Sequence, residues 1–374
     1  MRAADLGEDR PVPSPQRPAL RRALVAAALV VLVLLGLAGP AGADPAKPTN
    51  YRSHVTSVTP GSSIISVKVV GGDGFLDVTV DGGHEVIVTG YDGEPYLRFS
   101  KDGTVEENQN SPATYLNRNR FATTPVPAAL QGKHLPPPTW QKVGSGGHYA
   151  WHDHRIHFMG KNPSEVPGLA QGRPIIWAGG VAMTVDGKKV VVHGEYRLLK
   201  APSPLPWIAI AIVGTVLIVL VGRRRPVLVA SIALLLGGLA ALWVGVEQNR
   251  AIPPGAGATA LTVILPIVAV VAAGIAIARW STPAGVIAAL ASAATTGGWV
   301  LTRYSVLTKA VLPTVLSANA DRIGTSVALA AAIGGAILTV RSGGLSLPRL
   351  EDVDAHPDAT DADPGPAATA SPPA

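Results

Sequence analysis

Four of the nine histidines of this chain fall within ten residues, in the run His148-Tyr149-Ala150-Trp151-His152-Asp153-His154-Arg155-Ile156-His157. Met159, one of only three methionines, closes the run. Imidazole nitrogens bind Cu, Zn, Ni and Fe, and a thioether sulfur favours Cu(I). The chain has no cysteine, which excludes thiolate metal sites, Fe–S clusters, disulfides and cysteine nucleophiles. The residue types therefore point to a metal site with His148, His152, His154, His157 and Met159 as candidate ligands. A copper ion is the expected occupant, with zinc as the alternative. Asp153 is either a further ligand or a carboxylate that orients an imidazole. His193 is a more distant candidate, and His54, His84 and His134 are isolated.

Spacing limits what this run can do. On a strand, His148, His152 and His154 share one face, and Asp153, Arg155, His157 and Met159 the other. His157 and Met159 join the first set only if the chain bends near Ile156. A turn at His152-Asp153-His154 is the other way to gather imidazoles. A structural reading stands beside the metal one: Trp151, Ile156 and Phe158 enter a core, the histidines hydrogen-bond loops, and Asp153 pairs with Arg155. Two enzyme patterns fail here. The cupin spacing from Gly146 to His152-x-His154 lacks its glutamate, since Phe158 or Met159 stands in that place. The His-x-His-x-Asp-His order of metallo-β-lactamases is broken because Asp153 lies between the first two histidines. An enzymatic role would have to draw on Glu94, Asp153 or Glu195, and no catalytic motif includes them.

The elements that must position the run follow from composition. The chain has 374 residues, 47% hydrophobic and only 15% charged, and the apolar surplus sits in blocks, as membrane spans require. Residues 1–43 read as a signal peptide: Arg17, Arg21 and Arg22, an apolar run Ala23–Leu37, then Ala41-Gly42-Ala43 as a cleavage site. The alternative is a retained anchor. Residues 44–205 alternate short β-rich runs with Gly, Pro, Asp and Asn. This predicts strands over Arg52–Thr59, Ile64–Val70, Phe75–Val80, Glu85–Thr89, Tyr96–Ser100, Ile175–Trp177, Val181–Val185 and Lys189–Leu198. The expected fold is an all-β sandwich or barrel, immunoglobulin-like, with Pro112–Pro138 as a long loop. Residues 206–341 predict five transmembrane helices: Trp207–Gly222, Val227–Val246, Thr259–Ala278, Pro283–Thr302 and Ile323–Val340. Residues 342–374, rich in Pro, Ala and Asp, predict a disordered tail.

Charge sets the expected topology. Arg223-Arg224-Arg225 between the first two spans belongs in the cytoplasm by the positive-inside rule, which puts Arg279, Arg341 and the tail inside and the β domain outside. The spans hold no ionisable residue in their interiors, against the usual pattern of transporters and proton pumps. The net charge of +6 is not clustered as a nucleic-acid footprint would be, so nucleic acid is excluded as a partner. The expected partners are the membrane and a membrane or periplasmic protein.

Several stretches taken together carry a family likeness: Asp44-Pro45-Ala46-Lys47-Pro48-Thr49-Asn50-Tyr51-Arg52, Gly90-Tyr91-Asp92-Gly93-Glu94-Pro95-Tyr96-Leu97-Arg98-Phe99, Ser111-Pro112-Ala113-Thr114-Tyr115-Leu116-Asn117, and His152-Asp153-His154-Arg155-Ile156-His157-Phe158-Met159. From Asp44 to about Val340 the chain resembles a group of actinobacterial conserved membrane proteins of uncharacterised activity. The resemblance implies an exported β domain on a membrane anchor, linked to extracytoplasmic copper handling. The rival expectation is a structural cell-envelope protein whose β domain binds a protein or a cell-wall polymer through aromatics such as Tyr91, Tyr96, Tyr115 and Trp140.

Overall fold

The computed structural model describes residues 44–132, 134–257 and 260–342. The signal-peptide reading of 1–43, and the tail reading beyond residue 342, lie outside the described residues.

Eleven strands lie among the described residues before the first long helix: β1 (Tyr51–Thr59), β2 (Ile65–Val70), β3 (Phe75–Val80), β4 (Val86–Thr89), β5 (Pro95–Phe99), β6 (Val105–Asn108), β7 (Trp140–Gly144), β8 (His148–Trp151), β9 (Ile175–Ile176), β10 (Val181–Val185) and β11 (Lys188–Leu198). All pairings between them are antiparallel. A large sheet runs β1-β11-β10-β4-β5-β6-β7, with β9 on β11, and a small sheet runs β2-β3-β8. One apolar core joins them: Ile65, Leu76, Val78 and Val80 from the small sheet pack with Val86, Val88, Leu97, Phe99, Met183, Val190 and Val192 from the large one. Each set alternates along its strand, so one face of each sheet is dry. Asp186-Gly187, both at positive φ, turns β10 into β11, as the Asp-Gly pair predicts.

β6 and β7 are strands beyond those the sequence predicts, and two further details depart from it. The stretch Pro112–Pro138 begins with a short helix, α1 (Pro112–Leu116), whose N-cap Ser111 accepts from the Ala113 amide; Ser-Pro at cap and first turn is a helix start. Tyr96 is 2% exposed and belongs to the core, so it is no part of an aromatic contact surface.

Five helices follow: α2 (Leu205–Val221), α3 (Pro226–Arg250), α4 (Leu261–Ala278), α5 (Pro283–Arg303) and α6 (Ala318–Arg341). Four of them, α3 to α6, are long and apolar enough to cross a membrane, with α5 running on into a 3₁₀ turn to Leu307. α2, at 17 residues, is shorter and spans only about 25 Å by its rise. Small residues permit the close packing. Gly237 of α3 faces Ala331 of α6, Gly245 of α3 meets the Thr262 backbone of α4, and Gly214 of α2 and its C-cap Gly222 face Ala330 and Leu338 of α6. Such backbone approach is the usual way apolar helices associate in lipid.

The β domain sits on one end of this bundle. Thr49 and Val311 exchange two backbone hydrogen bonds of 2.9 Å, and the Ala150 amide donates to Pro254 O at 2.9 Å. The Ala310 amide donates to Asn50 Oδ1 at 2.8 Å. The loops at Pro254 and at Ala310–Val311 thus both meet the β domain. The turns carrying Arg223–Arg225 and Arg279, and the α6 end at Arg341, fall at the opposite end.

Beneath the docking loops lies a buried charge cluster. Arg303, the last residue of α5, donates to both carboxylate oxygens of Asp321 in the first turn of α6, at 2.7 and 2.9 Å. Arg322 donates to Val306 O at 3.0 Å and Lys309 O at 2.7 Å, and its guanidinium lies over the Trp207 ring. These charges are at helix ends, as the sequence indicates, and they fix the loop that carries Val311.

Candidate metal-binding histidine pair

The strand reading of the histidine run holds only to Trp151, where β8 ends. Beyond it Asp153 organises a turn. Its backbone oxygen accepts from the Ile156 amide at 3.1 Å. Its side chain accepts from the Arg155 amide at 3.1 Å and from the Trp151 indole at 3.0 Å. The Arg155 guanidinium grips the same carboxylate at 2.8 and 2.7 Å. An Asp side chain that captures the amide two residues on is a stable turn former. Burial alone would raise the Asp153 carboxyl, but Arg155 and the hydrogen bonds hold it below the usual range. Asp153 therefore has no oxygen left for an ion. Ile156, fully buried in the core, anchors the bend, and the bend brings His157 beside His154.

The histidines divide into two kinds. His148 Nε2 lies 2.5 Å from Asp77 Oδ1 on the neighbouring strand. His152 is buried, stacks on Phe75 at 4.2 Å, and has both ring nitrogens against backbone carbonyls: Nδ1 at 2.5 Å from Gly74 O and Nε2 at 2.9 Å from Asp44 O. These two are engaged by the protein itself and do not share a centre with the others.

His154 and His157 differ. His154 Nε2 faces Asn119 O at 3.1 Å and so carries the proton, which leaves Nδ1 as the lone-pair nitrogen. Its backbone amide donates to the Tyr91 hydroxyl at 2.9 Å, and its ring stacks on Tyr91. His157 Nδ1 faces Phe158 O at 3.3 Å, and its Nε2 is buried with no hydrogen-bond partner. In both rings one N–H is given to a backbone carbonyl while the other nitrogen keeps its lone pair, the arrangement found in metal-ligating histidines. Two imidazoles sharing an ion at ~2.0–2.1 Å per nitrogen have ring centroids roughly 5–6.4 Å apart, depending on the angle at the ion. The His154 and His157 centroids are 5.6 Å apart, with the rings edge-to-face.

Electrostatics keep both rings unprotonated. Burial, reinforced by Arg120, lowers His157 to about 3. Burial lowers His154 too, against the Asn119 carbonyl and the Asp153 charge, which push it up. Metal binding needs neutral imidazole, so no proton has to be displaced near neutral pH. Met159 lies two residues beyond His157 and is 37% exposed.

Among the described residues no group of three or more His, Cys, Asp or Glu side chains is placed to hold one ion. The five-residue set read from the sequence thus contracts to the His154–His157 pair. His193, in β11, lies opposite Ser57 of β1, away from this turn. Sequence reasoning missed Asn119, Arg120 and Asp73, and read Tyr91 only as an aromatic of a contact surface. Their places in the chain, distant from the turn they serve, carry no local signal. Comparison of the chain with protein families, with curated proteins and with solved structures finds no match.

Proposed function

We propose that this chain is a membrane-anchored, extracytoplasmic metal-binding protein whose β domain holds Cu(I) through His154 Nδ1 and His157 Nε2, in an accessory, sensor or chaperone role. The observation that carries this reading is the buried His157 Nε2, a lone pair without a donor, beside a second imidazole set up in the same way. Leaving such a nitrogen unsatisfied costs about 1–3 kcal/mol, a cost that a bound ion would remove. Two imidazoles suffice for Cu(I), which imidazole binds; zinc sites use three or four protein ligands, which favours copper over zinc. The multi-pass reading, with the β domain outside and the tail in the cytoplasm, draws support from the basic turns at the far end of the bundle.

Titration of the detergent-purified full chain with Cu(I) against a chromophoric chelator tests the reading. The wild type is expected to compete for one Cu(I) per chain, and His154→Gln with His157→Gln to lose that competition while His148→Gln keeps it. Equal competition by all three proteins, or none by the wild type, overturns it.

A second reading, a structural envelope module whose β domain binds a protein or cell-wall partner, draws on Trp140 of the edge strand β7, which carries the Arg98 guanidinium stacked at 4.5 Å. Aromatic–arginine pairs of this kind are enriched at interfaces. Trp140→Ala is expected to abolish co-purification of such a partner without changing Cu(I) competition; unchanged co-purification would remove the basis for this reading.

A further inference from the structure

The β domain meets the bundle at one end of the β1–β11 pair. Tyr51 of β1 lies opposite Leu198 of β11. The Leu199 amide donates to Asn50 O at 2.7 Å, and Asn50 Oδ1 accepts from the Ala310 amide of the bundle. A second segment reaches the same level. Residues 175–185 run antiparallel to β11, with Val181 opposite Val192, Ile176 opposite Glu195 and Ile175 opposite Tyr196. Further along, Gly172, in the left-handed region at φ +75, lies so close that a Cβ there would stand 3.2 Å from Leu198 O. Leu169, fully buried, anchors the single 3₁₀ turn Leu169–Gln171 that precedes it, and the Arg173 amide donates to Gly168 O at 3.0 Å. The loop 160–174 is thus fixed at the bundle end of β11.

This loop and the chain leading into α2 carry unspent cations. Lys161, Arg173 and Lys200 are exposed, and among the described residues none of them has an ion-pair partner. Glu165 is the one acidic residue of the loop. Ile176, just beyond Arg173, is 66% exposed. At the same end of the bundle Leu205 opens α2, Leu301 and Tyr304 lie at the end of α5, and Val315 lies ahead of α6, all of them exposed. Apolar and aromatic side chains left open at the ends of spanning helices mark the level of the lipid. We propose that the loop 160–174 docks on the bilayer face beside the β domain, where Arg173, Lys161 and Lys200 bind the phosphodiester headgroups of anionic phospholipids. A guanidinium matches phosphate oxygens in pairs, cations at this level are attracted to an anionic lipid surface, and Ile176 adds an apolar contact at the headgroup boundary. The inference rests on the membrane-spanning reading of the helices and is independent of copper.

The chain has no cysteine, so one introduced cysteine carries a spin label at a single site. The test places labels at Ala170, at Lys188 and at Val271 of the full chain in nanodiscs, and reads their access to a neutral, water-soluble nickel chelate. Lys188 begins β11, about 33 Å from Leu198 by strand rise, and Val271 is an exposed residue inside α4. In discs of phosphatidylglycerol with phosphatidylcholine, the Ala170 label is expected to be shielded and the Lys188 label open; in phosphatidylcholine alone, the Ala170 shielding is expected to weaken. Arg173→Gln with Lys200→Gln is expected to weaken docking about fivefold per cation removed, while Arg173→Lys with Lys200→Arg keeps the charges and is expected to keep the shielding. An Ala170 label as open as that at Lys188, or shielding that ignores both lipid charge and the loss of the two cations, overturns the inference and leaves the spanning reading intact. A Val271 label open to nickel ends both.

Discussion

Two of the buried charge clusters of the molecule, the Asp153 turn of the β domain and the α5–α6 end of the bundle, are put to different uses. At the bundle end Arg303 pairs with Asp321 through Nη2 while its Nε stays without a hydrogen-bond partner, and Arg322 is spent on the carbonyls of Val306 and Lys309. The result is a fixed loop that presents Ala310 and Val311 to the β domain. In the turn, Arg155 and Asp153 likewise close on each other, but what they position is a pair of neutral rings, one of which keeps a buried nitrogen free. The difference separates architecture from chemistry. The bundle-end cluster holds elements together. The turn instead leaves an imidazole nitrogen open, a lone pair that an ion can take.

This contrast can be broken at several strengths. The largest expected effect is at the bundle end: Asp321→Ala strands the Arg303 charge in a buried site and is expected to cost about 3–5 kcal/mol, read as a lowered thermal midpoint of the full chain in micelles. An unchanged midpoint would mean that the pair does not hold α5 to α6.

The turn is expected to show its strength through pH. An ordinary imidazole titrates at 6.5, but His157 in the fold does so only at about 3. Between those values the unfolded chain binds a proton that the folded chain refuses, so stability is full above pH 6.5 and falls as pH drops toward 3. The slope for this group is about 1.4 kcal/mol per pH unit. His157→Phe is expected to reduce the acid slope by that one proton, measured by denaturant titrations at several pH values. A slope equal to the wild type's would place His157 in contact with water.

The contact between the two regions is expected to respond less. Gly255 has φ +93, and a Cβ there would lie 2.5 Å from Ala150 O. Gly255→Ala is therefore expected to cost about 1–3 kcal/mol through strain and displacement, seen as faster amide exchange at Ala150 with little change at Val192 in the core. The smallest effect is that of Asn50→Ala, which removes the acceptor of the Ala310 amide at about 1 kcal/mol, with exchange raised at Ala310 alone.

How much of this is legible from sequence depends on the range of the interaction. The helices announce themselves because each is a block of Ala, Val, Ile, Leu and Gly, and strands such as Phe75–Val80 and Val181–Val185 because alternation and turn residues are local signals. β6, with Glu106 and Glu107 at its centre, carries no apolar alternation and goes unread. The histidine run is visible as composition, and the condition on its geometry, a bend near Ile156, follows from strand alternation. Which nitrogens remain open does not. That depends on Gly74, Asp44, Asn119 and Asp77, which belong to distant parts of the chain. The Arg120–Asp73 pair spans 47 residues and has no local signature at all.

The central claim is that His154 and His157 turn their lone-pair nitrogens to one ion. X-ray absorption at the copper edge of the Cu(I)-loaded full chain tests it most directly. The account predicts two imidazole nitrogens at about 2 Å per copper, with that shell reduced in His157→Gln and unaltered in His152→Gln. A first shell without imidazole, or one that survives His157→Gln unchanged, would contradict it.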